Sequence, residues 1–190
     1  MKFPVVLTCL ACLACHRGRS SGQGQPAPSE SAVTLAMELG TCADELEECE
    51  RECDGGSADR CRRLAATYAL GKGAERDEAR ATALYEHACD LGDPSSCVFA
   101  GQMREYAHGV PKDDAKAARL YERSCDMHWP AGCYNLAIMY ERGTGVPLDR
   151  AKAADLYQMT CAAGSSFACE KAKSMRAPTA PPPDLPPGHP

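Results

Sequence analysis

Rings and long apolar runs are scarce in this chain. Phe, Trp and Tyr make up 6% of its 190 residues, with 1 Trp among them. Any core must therefore be packed with small side chains. The uncharged, mostly apolar run from Phe3 to Ala14 falls well short of the roughly 20 residues a membrane-spanning helix needs. Positive charge is also in deficit. Against 26 acidic residues stand 21 basic ones, a formal net charge of −5, which excludes the basic footprint of a nucleic-acid binder. Catalytic signatures are missing too: H-E-x-x-H, G-x-S-x-G, and the S-x-x-K and K-T-G of serine enzymes that recognise penicillins. Cysteine is abundant instead. Thirteen of them are far too many for a reduced cytosolic chain of a length that makes one compact domain.

Three of these cysteines lie in "CLACLACHRG" (9–18), where Cys12-Leu13-Ala14-Cys15-His16 spells the C-x-x-C-H of haem attachment. The same letters suit an iron–sulfur ligand run or the end of an export signal. Met1-Lys2 supplies a positive start and the short apolar run an h-region, ending in small residues before Cys15. Cleavage there would separate Cys12 from Cys15 and destroy the haem set. The segment resembles a bacterial lipoprotein signal, with Ala14 before the cysteine, although Cys12 stands where such signals carry leucine. The resemblance implies a signal peptide over 1–14 and lipid on Cys15, with Cys12 as the lesser candidate. A conventional secretory signal is the alternative, and both imply export.

A fixed period organises the rest. Cys53, Cys89, Cys125 and Cys161 are spaced by 36 residues, and so are Cys61, Cys97, Cys133 and Cys169. Asp77, Asp113 and Asp149 keep the register, as do Ala79, Ala115 and Ala151, Leu84, Leu120 and Leu156, and Tyr85, Tyr121 and Tyr157. Three full units run 58–93, 94–129 and 130–165, and a half unit, 166–176, closes the array. A degenerate helical cap, 31–57, precedes it, with its helix over 41–53. Each unit reads as helix–turn–helix. "CYNLAIMYERG" places Leu136, Ala137 and Tyr140 at helical spacing, with the helix beginning near Cys133. Turns at 71–74, 107–110 and 143–146 break it through glycine, and the second of them lacks the first glycine. The aspartates stand where the second helix needs acceptors for free backbone N–H groups. Alanines 115, 117 and 118 are expected to let neighbouring helices approach closely.

The G-x-G-V, D-x-x-K-A and L-Y elements in 36-residue units resemble the Sel1-like repeat, a relative of the tetratricopeptide repeat, over about 58–176. The first unit departs from the pattern at Ala74 and Arg80. The resemblance implies an all-α fold, an α/α solenoid wound as a right-handed superhelix. The paired cysteines are similar to those of the cysteine-rich secreted branch.

Each pair is C-x7-C across a tight turn of Gly, Pro or Ser, joining the end of one unit to the start of the next. Disulfides Cys53–Cys61, Cys89–Cys97, Cys125–Cys133 and Cys161–Cys169 are expected, each contributing roughly 2.5 kcal/mol by restricting the unfolded chain. Zinc is the rival reading, although metal sites favour C-x2-C pairs that converge, and these pairs stand one per repeat. Cys42 and Cys49 would lie about 10.5 Å apart along a continuous helix. They pair only if Cys42 leaves the helix or the backbone bends.

Residues 15–30 read as a flexible tether, and 177–190, half of them proline, as a disordered tail. His87, His108 and His128 occupy unrelated repeat positions, so no converging metal site and no cofactor is expected. Glu45, Glu47, Glu48 and Glu50 read as a solvated face. Trp129 with Pro130 replaces the usual Gly-x-x at a unit junction and reads as a packing variation there. Two functions follow. One is a scaffold in the bacterial cell envelope that binds a protein or peptide on its concave face and touches the membrane only through the N-terminal lipid. The other, implied by the resemblance to cysteine-rich relatives, is a penicillin-binding or weak β-lactamase-like hydrolase, for which no nucleophile stands out.

Overall fold

The computed structural model describes residues 40–176. The signal segment 1–14, Cys12, Cys15, the tether, residues 31–39 of the cap and the tail 177–190 lie outside the described residues. Within them the chain forms eight α-helices and no strand. They are α1 (Leu46–Asp54), α2 (Ala58–Leu70), α3 (Glu78–Asp90), α4 (Pro94–Glu105), α5 (Asp114–Asp126), α6 (Pro130–Arg142), α7 (Arg150–Ala162) and α8 (Ser166–Arg176). Each packs against the next in the chain, and α4 also touches α6. The even-numbered helices are the first of each unit and the odd-numbered ones the second. This is an α/α solenoid in which contacts run between neighbours.

Local chemistry sets the boundaries. Asp77, Asp113 and Asp149 cap α3, α5 and α7, each side chain accepting from the backbone N–H three residues on, at 2.9, 2.8 and 2.9 Å. Gly71 and Gly143 end α2 and α6 in the left-handed conformation. The turn that lacks its first glycine bends all the same, with Ala107 at φ 58°. The helix expected from near Cys133 starts three residues earlier, because Pro130 is well placed in a first helical turn. At the unit junction the residue in the register of Gly56, Gly92 and Gly164 is His128, at φ 60°, and not Trp129. Trp129 replaces the capping Asp93 and makes no side-chain cap bond.

Small residues and one tyrosine per unit fill the core. Tyr85, Tyr121 and Tyr157 are fully buried, as are Ala81, Ala117 and Ala153 beside them. Ala115 differs from expectation. It is solvent-facing, and helices approach through Ala117 and Ala118. The Ala115 column is small for another reason. The second glycine of each turn lies against the backbone of the preceding unit in that register. A Cβ on Gly145 would fall 2.2 Å from the Asp114 carbonyl oxygen, and one on Gly109 would fall 2.5 Å from the Ala79 nitrogen.

The cap corrects a second expectation. Its helix covers Leu46–Asp54 and not 41–53. Cys42 stands outside it, its N–H donating to the Thr67 hydroxyl at 2.8 Å. That leaves Cys42 and Cys49 with Cα atoms 6.2 Å apart and bonded. Cys49 occupies the register of the buried tyrosines, 36 residues before Tyr85. A disulfide therefore fills the place of a ring.

Candidate functional site

Four further disulfides tie the units. Cys53–Cys61, Cys89–Cys97, Cys125–Cys133 and Cys161–Cys169 join the end of each odd-numbered helix to the start of the next even-numbered one, with Cα separations of 4.6, 4.7, 4.5 and 4.6 Å. All five bridges lie at the distances bonded cysteines adopt. Such a density belongs to an oxidising, extracytoplasmic compartment. Among the described residues no helix is long and apolar enough to cross a membrane.

Across the first three junctions runs a polar ladder that sequence reasoning missed. Glu50, Glu86 and Glu122 keep the 36-residue register, and each faces a base thirty residues on. Arg80 reaches Glu50 at 2.9 Å, Lys116 reaches Glu86 at 2.8 Å, and Lys152 lies 3.9 Å from Glu122. A third column joins from the intervening helix. The Tyr68 hydroxyl donates to Glu50 at 2.9 Å, Arg104 donates to Glu86 at 2.8 Å, and Lys152 donates to the Tyr140 hydroxyl at 2.6 Å. Glu50 is thus a half-buried rung, while Glu45, Glu47 and Glu48 are exposed as expected. Burial alone would raise the Glu86 carboxyl, but hydrogen bonds from Arg104 and Lys116 outweigh it and hold the group below the usual glutamate range. Glu141 behaves alike, its burial outweighed by bonds from Tyr157 and Lys171. The 36-residue recurrence of Glu50, Glu86 and Glu122 was the signal that could have revealed the ladder.

The even-numbered helices present half-buried side chains along the array. From α2 come Arg62 and Arg63, from α4 Phe99 and Gln102, and from α6 Tyr134 and Ile138. The Tyr134 ring meets Tyr157 at 5.7 Å and the exposed Phe167 of α8 at 6.1 Å between centroids. The result is a mixed surface, with arginines paired to Asp59, Asp93 and the Thr41 carbonyl at one end and rings at the other. No set of catalytic side chains converges on it. His87, His108 and His128 do not meet: His108 lies 4.0 Å from Glu78, His128 forms a turn, and His87 approaches the Cys53–Cys61 bridge.

The family model described as Sel1 repeat matches residues 61–93, 94–128 and 130–165, more than half of the chain. The chain belongs to the Sel1 repeat family. No curated protein matches it. Among solved structures, a Sel1 repeat protein from Oxalobacter formigenes is 28% identical, with a TM-score of 0.63, covering 68% of this chain and 98% of that one. A protective antigen present in uropathogenic Escherichia coli strains, displaying an SLR fold, is 24% identical with a TM-score of 0.69, covering 75% of this chain and 32% of its own. Cysteine rich protein B of Helicobacter pylori is 22% identical with a TM-score of 0.53, covering 73% and 96%. These last two likenesses speak for the Sel1 solenoid fold alone.

Proposed function

We propose that this Sel1 repeat protein is exported, carries lipid on Cys15 and serves in the bacterial cell envelope as a scaffold for a protein or peptide. The observation that carries the scaffold reading is the surface of the even-numbered helices. Phe99 of α4 and Tyr134 and Ile138 of α6 stay half-buried on the even-numbered helices, which also carry Arg62 and Arg63 on α2. Apolar patches held by a stiff array suit an extended partner. The lipid reading rests on Lys2, the short apolar run, Ala14 before Cys15, and the polar stretch that follows. A multiply acylated cysteine would be a sufficient anchor by itself.

Capture of envelope proteins by the purified chain, compared with Phe99→Glu and Ile138→Glu, tests the scaffold. Both variants should lose the same partner while keeping the wild-type helix content. Equal capture by all three would remove that surface from the reading. Robust cephalosporin turnover, lost on a single substitution, would replace the scaffold with the hydrolase.

A further inference from the structure

One column of the 36-residue register varies beside the staples. His87 corresponds to Arg51, Arg123 and Met159 in the other units. Arg123 reaches back across its junction to the carboxylate of Asp90 and to its carbonyl, the latter at 3.2 Å. His87 instead brings an imidazole nitrogen within 4.8 Å of both the Cys53 and the Cys61 sulfur. Among the described residues no other group of three His, Cys, Asp or Glu ligands gathers this closely. The imidazole is exposed and the two sulfurs are buried behind it, so a small ion would enter past the ring.

Two sulfurs and one nitrogen form a soft donor set, matched to a thiophilic d10 cation of the Zn2+ class. While the 2.02 Å bond between the sulfurs is intact, neither offers a thiolate. Around a tetrahedral ion, with metal–sulfur bonds near 2.3 Å and metal–nitrogen bonds near 2.0 Å, donors lie about 3.5–3.8 Å apart. The sulfurs must separate to that distance and the ring must draw in slightly. Both movements are small.

We propose that reduction of the Cys53–Cys61 bridge creates a metal site, in which Cys53, Cys61 and His87 hold one Zn2+-class cation and water completes its coordination. The reductant is a dithiol. It gives two electrons and two protons to the S–S bond, leaving two thiols, and itself becomes a disulfide. Binding of the cation then releases the two thiol protons to solvent. The covalent tie between α1 and α2 is exchanged for a metal tie that also takes in α3. The next two junctions lack this option, because Arg123 and Met159 replace the imidazole.

The test uses the full chain with Cys9→Ser, Cys12→Ser and Cys15→Ser, which removes the N-terminal thiols. The protein is reduced and titrated with Zn2+ against a chromogenic chelator without oxygen. Alkylation of each cysteine is read by mass spectrometry and helix content by circular dichroism. One ion should bind, and it should slow alkylation of Cys53 and Cys61 selectively. His87→Arg should weaken binding roughly tenfold or more and abolish that protection. Cys89→Ser with Cys97→Ser should leave both unchanged. Equal affinity in wild type and His87→Arg, protection spread over all cysteines, or a reduced chain that loses its helices and does not regain them with Zn2+ would each overturn the proposal.

Discussion

The Tyr121 hydroxyl donates to the Glu105 carboxylate at 2.8 Å, and one unit later Tyr157 donates to Glu141 at 2.6 Å. One unit earlier the register puts Ala69 where the acid should be. The Tyr85 hydroxyl is consequently buried without a hydrogen-bond partner. Burial pushes Tyr85 well above the usual tyrosine range, so it stays a neutral, idle donor.

Ala69→Glu should therefore stabilise the fold by about 1 kcal/mol, the worth of one restored hydrogen bond. Tyr85→Phe should be neutral or slightly stabilising. Tyr121→Phe should cost about 1 kcal/mol, because it removes one hydrogen bond to Glu105. Urea midpoints of the three variants check this, and equal effects of the two Tyr→Phe changes would contradict it.

Replacing Cys125 and Cys133 together with alanine should lower stability by roughly 2–3 kcal/mol, as the freed loop regains entropy in the unfolded chain. Thiol labelling of the unreduced, denatured protein should find no free thiol among the ten cysteines from Cys42 to Cys169. An unchanged midpoint would mean that helix packing alone holds that junction.

Glu86 and Glu141 have lowered folded-state pKa values. Their contribution to stability is thus complete above the unfolded carboxyl value of about 4.3 and disappears as pH falls through the folded value. Glu86→Gln should be less stable at neutral pH and should lose less on acidification below about pH 4. Melting curves across that range decide it. Parallel acid limbs would show that the carboxylate does not set the slope.

Alanine at Gly145 and at Gly164 should differ sharply. Both glycines have positive φ, at 69° and 100°, but a Cβ on Gly145 strikes the Asp114 carbonyl whereas one on Gly164 meets open space. Gly145→Ala should cost about 3 kcal/mol or more, and Gly164→Ala about 1–2 kcal/mol. Ala107→Gly should gain roughly 0.5 kcal/mol, since it relieves a left-handed alanine while loosening the unfolded chain. Denaturation of the three variants ranks them.

Much of the fold is legible from columns of identical letters. The cysteine, aspartate and tyrosine columns locate the staples, the helix caps and the core because each has one local cause repeated per unit. What escapes is whatever depends on two columns meeting. Glu50 reads as solvated until Arg80 and Tyr68 are seen to face it. Ala115 reads as a packing residue until Gly145 is found lying over its backbone. Cys42 reads as helical because its tertiary partner, the Thr67 hydroxyl, is twenty-five residues away. His87 looks unrelated to any site because its neighbours, Cys53 and Cys61, lie on other helices.

The ladder has a modular consequence. Excision of residues 94–129 would bring Cys133 to the spacing from Cys89 that Cys97 now holds, and Lys152 to the spacing from Glu86 that Lys116 now holds. The joint would look like any other. A chain cut in this way keeps the staple and ladder spacing at the new joint, with Tyr140 in the register of Arg104. The same event at the far end would meet Gln158, which stands where the next acid should be. An interior unit is therefore separable with staple and ladder spacing intact, whereas the unit beside α8 is not.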